Sequence, residues 1–378
     1  MRNGSENKST IISIGTAVPD FVTNQDTILE FMQYAYDEPV ASRKLDVLFN
    51  HSGIDKRYSV IPDFCNQGVR ELFPETQEIP PLNERVELYK EKALPLAVRA
   101  VQRSLKNIHS SLNDIGITHL ITVTCTGLYA PGLDAELMEQ LNLSPDIFHT
   151  SLNFLGCNAA FPAMKIADSF VKSDPGARVL IVCVELCTIH FQPKNNNDNL
   201  LSNTLFGDGA AAAIVVSDAY ARQNSYSGFG IHGFHSTVLT KGKELMGWNL
   251  TTKNFEMILN AGLPNFLGRE LLDVMERVSS KLRFSMNKID HWAIHPGGKR
   301  ILDEVKAELL LQNDELRHSY KVLRQYGNMS SPTILFVMAE VLNGGLRSGE
   351  TILSMGFGPG ISIESALLTY EDVSSAIG

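Results

Sequence analysis

Two runs of this chain, ARVLIVCV at 177–184 and the Ala/Ile/Val stretch at 210–216, carry apolar side chains at nearly every position. Successive side chains of a strand point to opposite faces, so a strand of this kind has to be covered on both sides. Residues 118–124 (THLITVT) are of the same buried type. Between such runs lie segments with apolar residues at helical spacing, and this alternation predicts α/β layers around buried sheets.

Taken in order, the pattern predicts strands at 11–14, 118–124, 177–184, 210–216, 290–294, 351–355 and 361–367. It predicts helices at 24–36, 40–50, 82–106, 133–141, 159–171, 263–283, 299–311 and 330–342, with Pro95 bending or dividing the third. Residues 62–81, rich in Pro, Glu, Gln and Asn, read as an irregular surface excursion, and KNNNDN at 194–199 as a polar loop. The 378 residues, 44% of them hydrophobic, suffice for a large core, either two domains or two fused halves.

Three reactive side chains stand at the same kind of place, just after a strand-like run, at a Gly-rich break, near a helix start. They are Cys157 in NFLGCNAA, His295 in HPGG and Asn328 in GNMSS. Near a helix N-terminus, free N–H groups and the macrodipole favour a thiolate, and a neighbouring imidazolium lowers a thiol pKa further. Cys157 could therefore stand ready as a nucleophile at neutral pH. Equally, most free cysteines are small buried hydrophobes. A lone histidine is more often a surface or satisfied core residue, and a lone Asn more often a turn or cap. Together the three supply a nucleophile, a base or donor, and a second oxyanion donor, the set that thioester chemistry needs.

Composition removes several classes. Thirty-three Lys and Arg against 42 Asp and Glu give a net charge of −9 without blocks of like charge, so no nucleic-acid footprint is expected. The odd number of cysteines, five (Cys65, Cys125, Cys157, Cys183, Cys187), and the lack of a CxxC pair with matching histidines point to a reduced cytoplasmic setting and no metal. The polar N-terminus MRNGSENKST is no secretion signal, and no apolar run reaches membrane-spanning length.

The segments GCNAA around Cys157, LFGDGAAA from Leu205, IHPGG around His295, GNMSSPT from Gly327 and GFGPGISIE from Gly356, in this order, resemble the type III polyketide synthases, the chalcone synthase family. The likeness extends from about Ile11 to Leu367. It implies a thiolase-like fold: two duplicated halves, 1–220 with the cysteine and 221–378 with the histidine and asparagine, in a five-layered α-β-α-β-α core, usually a homodimer. It implies that Cys157, His295 and Asn328 are catalytic and that Phe206 and Phe255 are gatekeepers of the cavity. It places Cys125, Cys187, His190, Met246 and Ser330 on the substrate-binding wall and Lys44 at the coenzyme A phosphates. The substrates implied are an acyl-coenzyme A starter and malonyl-coenzyme A, with no further cofactor.

Departures from the family pattern concern the cavity. Cys125, Cys187 and His190 stand where chalcone synthase has threonines, Met246 where it has glycine, and Ala130 where a methionine usually reaches into the neighbouring subunit. His190 could donate a hydrogen bond to a growing chain, or be satisfied by Glu185 or backbone. Of the family's basic coenzyme A residues only Lys44 matches; the others fall on Val47 and His51, for which Lys56 and Arg57 either compensate or instead pair with surface carboxylates. Two other readings share the same residue types: a ketoacyl synthase III-like enzyme that condenses once, and a cysteine thioesterase or amidase that passes the acyl group to water.

Overall fold

The computed structural model describes residues 8–65, 69–73, 79–251, 254–312 and 314–373. In chain order the first part runs β1 (Ser9–Ala17), β2 (Phe21–Asn24), α1 (Gln25–Tyr36), α2 (Pro39–His51), β3 (Lys56–Ser59), α3 (Leu82–Asn107) and α4 (Leu112–Ile115). It continues β4 (His119–Thr124), α5 (Leu133–Gln140), β5 (Phe148–Asn153), α6 (Ala160–Ser173), β6 (Val179–Leu186), α7 (Asn197–Leu205), β7 (Asp208–Ser217) and α8 (Asp218–Gln223). The second part runs β8 (Gly228–Val238), β9 (Met246–Leu250), β10 (Phe255–Leu259), α9 (Leu263–Leu282), β11 (His291–Ile294) and α10 (Lys299–Glu308). It closes with α11 (Arg317–Tyr326), α12 (Thr333–Leu342), β12 (Thr351–Gly358) and β13 (Ser362–Glu371).

Nine strands form one mixed sheet in the order β11-β12-β13-β8-β1-β7-β6-β4-β5. The two parts of the chain meet in it only through three residue pairs of β1 and β8, Ser9 to Ile231, Thr10 to Gly230 and Ile11 to Phe229. Each part has the same pairing scheme. β4 is parallel to β6 and β6 antiparallel to β7; β11 is parallel to β12 and β12 antiparallel to β13.

The buried runs do what their composition requires. On β7, Ala210, Ala212, Ile214 and Val216 face a cluster with Ala93, Leu96, Ala97 and Ala100 of α3, while Ala211, Ala213 and Val215 face the opposite cluster. That second cluster holds α6 and α12 and takes side chains from strands of both parts, Ile121 and Ile181 as well as Ala293 and Ile352. A third cluster packs Trp292, Leu353 and Met355 against Leu267, Leu271 and Val274 of α9 and Leu302 of α10. The layers are therefore α3, strands, α6 with α12, strands, α9 with α10: the expected α-β-α-β-α arrangement.

Several boundaries differ from the sequence reading. Helix α3 runs through Pro95 unbroken, because Pro95 and Glu91, whose carbonyl loses its donor there, both lie on the exposed face. The second half of KNNNDN is the first turn of α7, capped by the Asn196 side chain, which accepts from Asn199 N at 2.8 Å. α12 starts at Thr333, not at 330, since Ser330 has a left-handed φ of 58°. α10 stops at Glu308. The stretch read as a surface excursion is partly buried: Asp63 accepts backbone N–H groups of Glu71 and Phe73, and Phe64 and Phe73 pack on Phe191. Residues 66–68 and 74–78 of it lie outside the described residues.

Candidate active site

Cys157 lies in the turn that leads from β5 into α6, three residues before the helix proper. Gly156 makes that turn possible: its φ is 82°, and a Cβ there would overlap Pro359 Cδ of the GFGPG segment. Asn328 stands in the corresponding approach to α12. Its main chain is clamped, N–H to Leu205 O at 2.9 Å and C=O from Gly207 N at 2.9 Å, so it is tied to both neighbours of Phe206. Gly327, with φ 68°, leaves room for the Leu205 carbonyl. The Asn328 side chain is oriented by its own loop, Oδ1 accepting from Ser330 N at 2.8 Å. Its Nδ2 then reaches Cys157 Sγ at 3.9 Å and Gly297 O at 3.3 Å. His295, two residues before Gly297, is fixed by its N–H to Met355 O at 2.8 Å, and both of its ring nitrogens are buried without a hydrogen-bond partner among the described residues.

Burial governs the charges here. The Cys157 thiol is pushed up to about 11 by desolvation, which the Ser330 and Asn328 side chains only partly offset. Desolvation likewise holds His295 down to about 3. The resting groups are a neutral thiol and a neutral imidazole, not the standing thiolate that a helix start alone suggests. The reason is that Cys157 is enclosed and no hydrogen bond joins it to His295 in this conformation. Beneath them Glu185 is buried, pushed up to about 7 by desolvation, and receives Cys125 N at 2.9 Å, Thr126 Oγ1 at 2.8 Å and Ser331 Oγ at 2.6 Å.

Two cavities approach this point. An inner one of about 80 Å³ is lined by Cys157, Phe206, Phe255, Cys125, Cys187, His190, Met246 and Ser330, all named from the sequence. The β9–β10 hairpin adds Trp248 and Met257, with Trp248 stacked on Phe255 at 5.5 Å and its Nε1 donating to Cys125 O at 3.0 Å. The resemblance named Met246 and Phe255 of that hairpin, but not Trp248 or Met257. The larger outer cavity, about 1070 Å³, lies between α2, α7 and α10. Its inner wall includes Leu205 and Gly297, the residues that hold Asn328, and its rim carries Arg43, Lys44, His51, Lys299 and Arg300 with one carboxylate, Asp303. His295 and Asn328 line neither cavity; they stand where the two come near.

One sequence expectation fails, and of the alternatives for His190 the backbone partner is the one found. Lys56 and Arg57 do not line the outer cavity. Lys56 sits over the Tyr58 ring, and Arg57 is buried behind Phe206, donating to Phe206 O and to Gln25 Oε1 at 3.1 Å. The cations there that the sequence reading missed are Arg43, Lys299 and Arg300; the last two directly follow HPGG, at the start of α10. His190, for its part, donates Nε2–H to Thr126 O at 2.7 Å, not to Glu185, so that nitrogen has no proton to offer a substrate.

Comparison with known proteins agrees over the whole chain. The sequence signature of the chalcone and stilbene synthases, N-terminal domain, matches residues 1–219, and that of their C-terminal domain matches residues 231–370. A 3,5-dihydroxyphenylacetyl-CoA synthase of Amycolatopsis balhimycina is 29% identical over 94% of this chain and 92% of its own. PKS-I of the brown alga Ectocarpus siliculosus superposes with a TM-score of 0.89 at 26% identity, covering 98% of this chain and 100% of its own. The C-terminal type III polyketide synthase domain of Steely1 from Dictyostelium gives a TM-score of 0.86 at 25% identity, covering 96% and 99%.

Proposed function

Because this chain belongs to the chalcone and stilbene synthase family, the type III polyketide synthases, we propose that it loads an acyl group from an acyl-coenzyme A on Cys157 and extends it with malonyl-coenzyme A. The observation that supports this most directly is the Asn328 carboxamide, 3.9 Å from Cys157 Sγ and clamped between the two cavities.

In loading, the sulfur of Cys157 attacks the acyl carbonyl and its proton passes to His295, whose ring nitrogens have no other hydrogen-bond partner among the described residues. The acyl–coenzyme A bond breaks and the coenzyme leaves as the thiol. Malonyl-coenzyme A then loses carbon dioxide, and the negative oxygen of the resulting enolate is held by a His295 N–H and the Asn328 Nδ2–H. The enolate carbon attacks the acyl thioester and the Cys157 thiolate leaves; the chain, two carbons longer and now a coenzyme A thioester, is transferred back to the Cys157 sulfur with release of coenzyme A. Phe206 and Phe255 form the aromatic wall that keeps water from the enolate.

The outer cavity has the size and the cationic rim for a coenzyme, with Arg43, Lys44, Lys299 and Arg300 toward its phosphates. This chemistry needs no cofactor beyond the thioesters. A homodimer and a cytoplasmic setting belong to the same reading. The sheet ends in the edge strand β5, which exposes Phe148, with Leu128 after β4 and Leu155 after β5 also exposed, and all five cysteines are free. Among the described residues no helix is long and apolar enough to cross a membrane.

Mass spectrometry of the protein incubated with an acyl-coenzyme A, with and without malonyl-coenzyme A, tests the reading. An acyl adduct on Cys157 and extended products only in the presence of malonyl-coenzyme A are expected, with neither in Cys157→Ala. Free acid released without malonyl-coenzyme A would instead identify a hydrolase.

A further inference from the structure

Among the described residues, two that line the inner cavity, Ser202 and His190, each carry a buried side-chain atom without a hydrogen-bond partner, Oγ and Nδ1. Neighbouring polar groups are satisfied within the protein. Gln192 Nε2 donates to Phe255 O at 2.6 Å and Gln192 Oε1 accepts from Asn254 at 2.8 Å. Cys125 Sγ accepts from Gly156 N at 3.1 Å, and Asn203 Nδ2 donates to Tyr36 Oη at 2.8 Å.

A serine hydroxyl can turn to donate or accept, so Ser202 discriminates little. His190 is different. Its Nε2 lies 2.7 Å from the Thr126 carbonyl, and a carbonyl only accepts, so the proton is on Nε2. The ring edges and faces of Phe255 and Trp248, at centroid distances of 5.3 and 5.9 Å, hold it in place. Burial and the nearby Arg85 cation keep the imidazole neutral. Its Nδ1 is thus a bare acceptor that no group among the described residues satisfies, on a side chain that lines the same cavity as Cys157. An unmade buried hydrogen bond is unfavourable, and a ligand that completes it is preferred over one that cannot.

Resting on the function proposed above, we propose that His190 Nδ1 accepts a hydrogen bond from the acyl chain on Cys157, and so selects chains that bring an O–H to it, above all the enol of a 1,3-dicarbonyl. A keto oxygen offers only lone pairs and is repelled by Nδ1. After one extension the chain becomes a β-keto thioester, whose enol supplies the missing donor. An enolised carbonyl is also a poor electrophile, so the bond shields the chain from early ring closure. His190 is in these terms a specificity-determining residue that reads the tautomer of the intermediate.

Two variants separate the ring's two nitrogens. In His190→Gln the amide reaches the Nε2 position and keeps the bond to Thr126, while the acceptor at Nδ1 is gone; in His190→Asn an amide oxygen takes the place of Nδ1. Acetoacetyl- and hexanoyl-coenzyme A are offered together in equal amounts, and the acyl groups on Cys157 are read by mass after equilibration. The quantity read is the ratio of acetoacetyl to hexanoyl adduct. Loss of one neutral hydrogen bond lowers that ratio roughly five-fold in His190→Gln, and His190→Asn restores most of it. An unchanged ratio in His190→Gln, or an equal fall in both variants, overturns the proposal. A second readout needs only the wild-type protein: acetoacetyl loading should produce the near-ultraviolet difference band of a conjugated enol, and a loaded enzyme without that band refutes the assignment. If neither ester acylates wild-type Cys157, the proposed function has failed and not the role of His190.

Discussion

Replacing His295 by glutamine tests whether the imidazole activates Cys157. The glutamine approximates the shape of the ring but removes the base. None of the groups that oppose burial at Cys157 is His295; they are Ser330, Asn328 and the residue's own backbone, and with them the thiol still lies at about 11. Without a base, roughly one thiol in ten thousand is ionised at pH 7. Positioned general-base catalysis contributes roughly 10²- to 10⁴-fold, so alkylation of Cys157 by iodoacetamide at pH 7 should slow by at least about a hundred-fold in His295→Gln. In the variant the rate should then climb roughly ten-fold per pH unit from 7 to 9, since the whole range lies below the thiol pKa. The assay is the time course of carbamidomethylation at the Cys157 peptide, read by mass spectrometry, with Cys157→Ser reporting background at the other cysteines. A variant that alkylates at the wild-type rate, or levels off near neutral pH, would show that the thiol is activated by something other than His295, and the proton path proposed here would be wrong.

Three further outcomes follow from particular contacts. Asn328→Ala should lower malonyl decarboxylation by roughly 10²- to 10³-fold, as loss of an oxyanion donor does, with a smaller effect on acyl loading; isotopically labelled carbon dioxide release measures the first and mass shift the second. Gly156→Ala must accept a positive φ and an overlap with the rigid Pro359 ring, a combined cost of about 2–4 kcal/mol, visible as a lower unfolding midpoint together with impaired loading. Exposed cations contribute up to about 1 kcal/mol each, so the double substitution of Lys299 and Arg300 by alanine should reduce the preference for an acyl-coenzyme A over its N-acetylcysteamine analogue by up to roughly thirty-fold; an unchanged preference removes those residues from the phosphate site.

The sequence exposed the architecture wherever burial left a periodic trace. The apolar runs of β6 and β7 could be nothing but doubly covered strands, and α6 and α9 kept their helical stripes. β5, with the sequence FHTSLN at a sheet edge, and the glycine-rich β8 carry no such trace, although β8 is the seam between the two parts. Cys157, His295 and Asn328 stood out as candidates because each has a glycine within two residues, and Gly156 and Gly327 do have positive φ. What remained hidden depends on tertiary neighbours. Arg57, in a polar-looking KRY, is buried because Gln25 and the Phe206 carbonyl receive its guanidinium, and burial lowers it to about 9 even beside Asp208. The raised thiol is of the same kind, since a helix start predicts stabilisation and only the packed structure reveals how little solvent remains.

The two parts of the sheet explain why these residues meet. Matching strands by their pairing makes β4 the counterpart of β11, β6 of β12 and β7 of β13, with α6 and α12 preceding equivalent strands in the shared central layer. Cys157 and Asn328 then occupy equivalent approaches to α6 and α12, and Cys125, just after β4, is the counterpart of His295, just after β11. One scaffold position thus carries a sulfur in one half and a carboxamide in the other, and a second carries a thiol here and an imidazole there. Placing α6 and α12 in one layer brings their N-terminal approaches within reach of each other, which is the 3.9 Å contact between Cys157 and Asn328. Neither half alone contains the cysteine, the imidazole and the carboxamide to which the proposed nucleophile, base and oxyanion-donor roles are given. The site exists because the two halves differ at equivalent positions, so a change that shifts α6 against α12 should disable it even where every reactive side chain is retained.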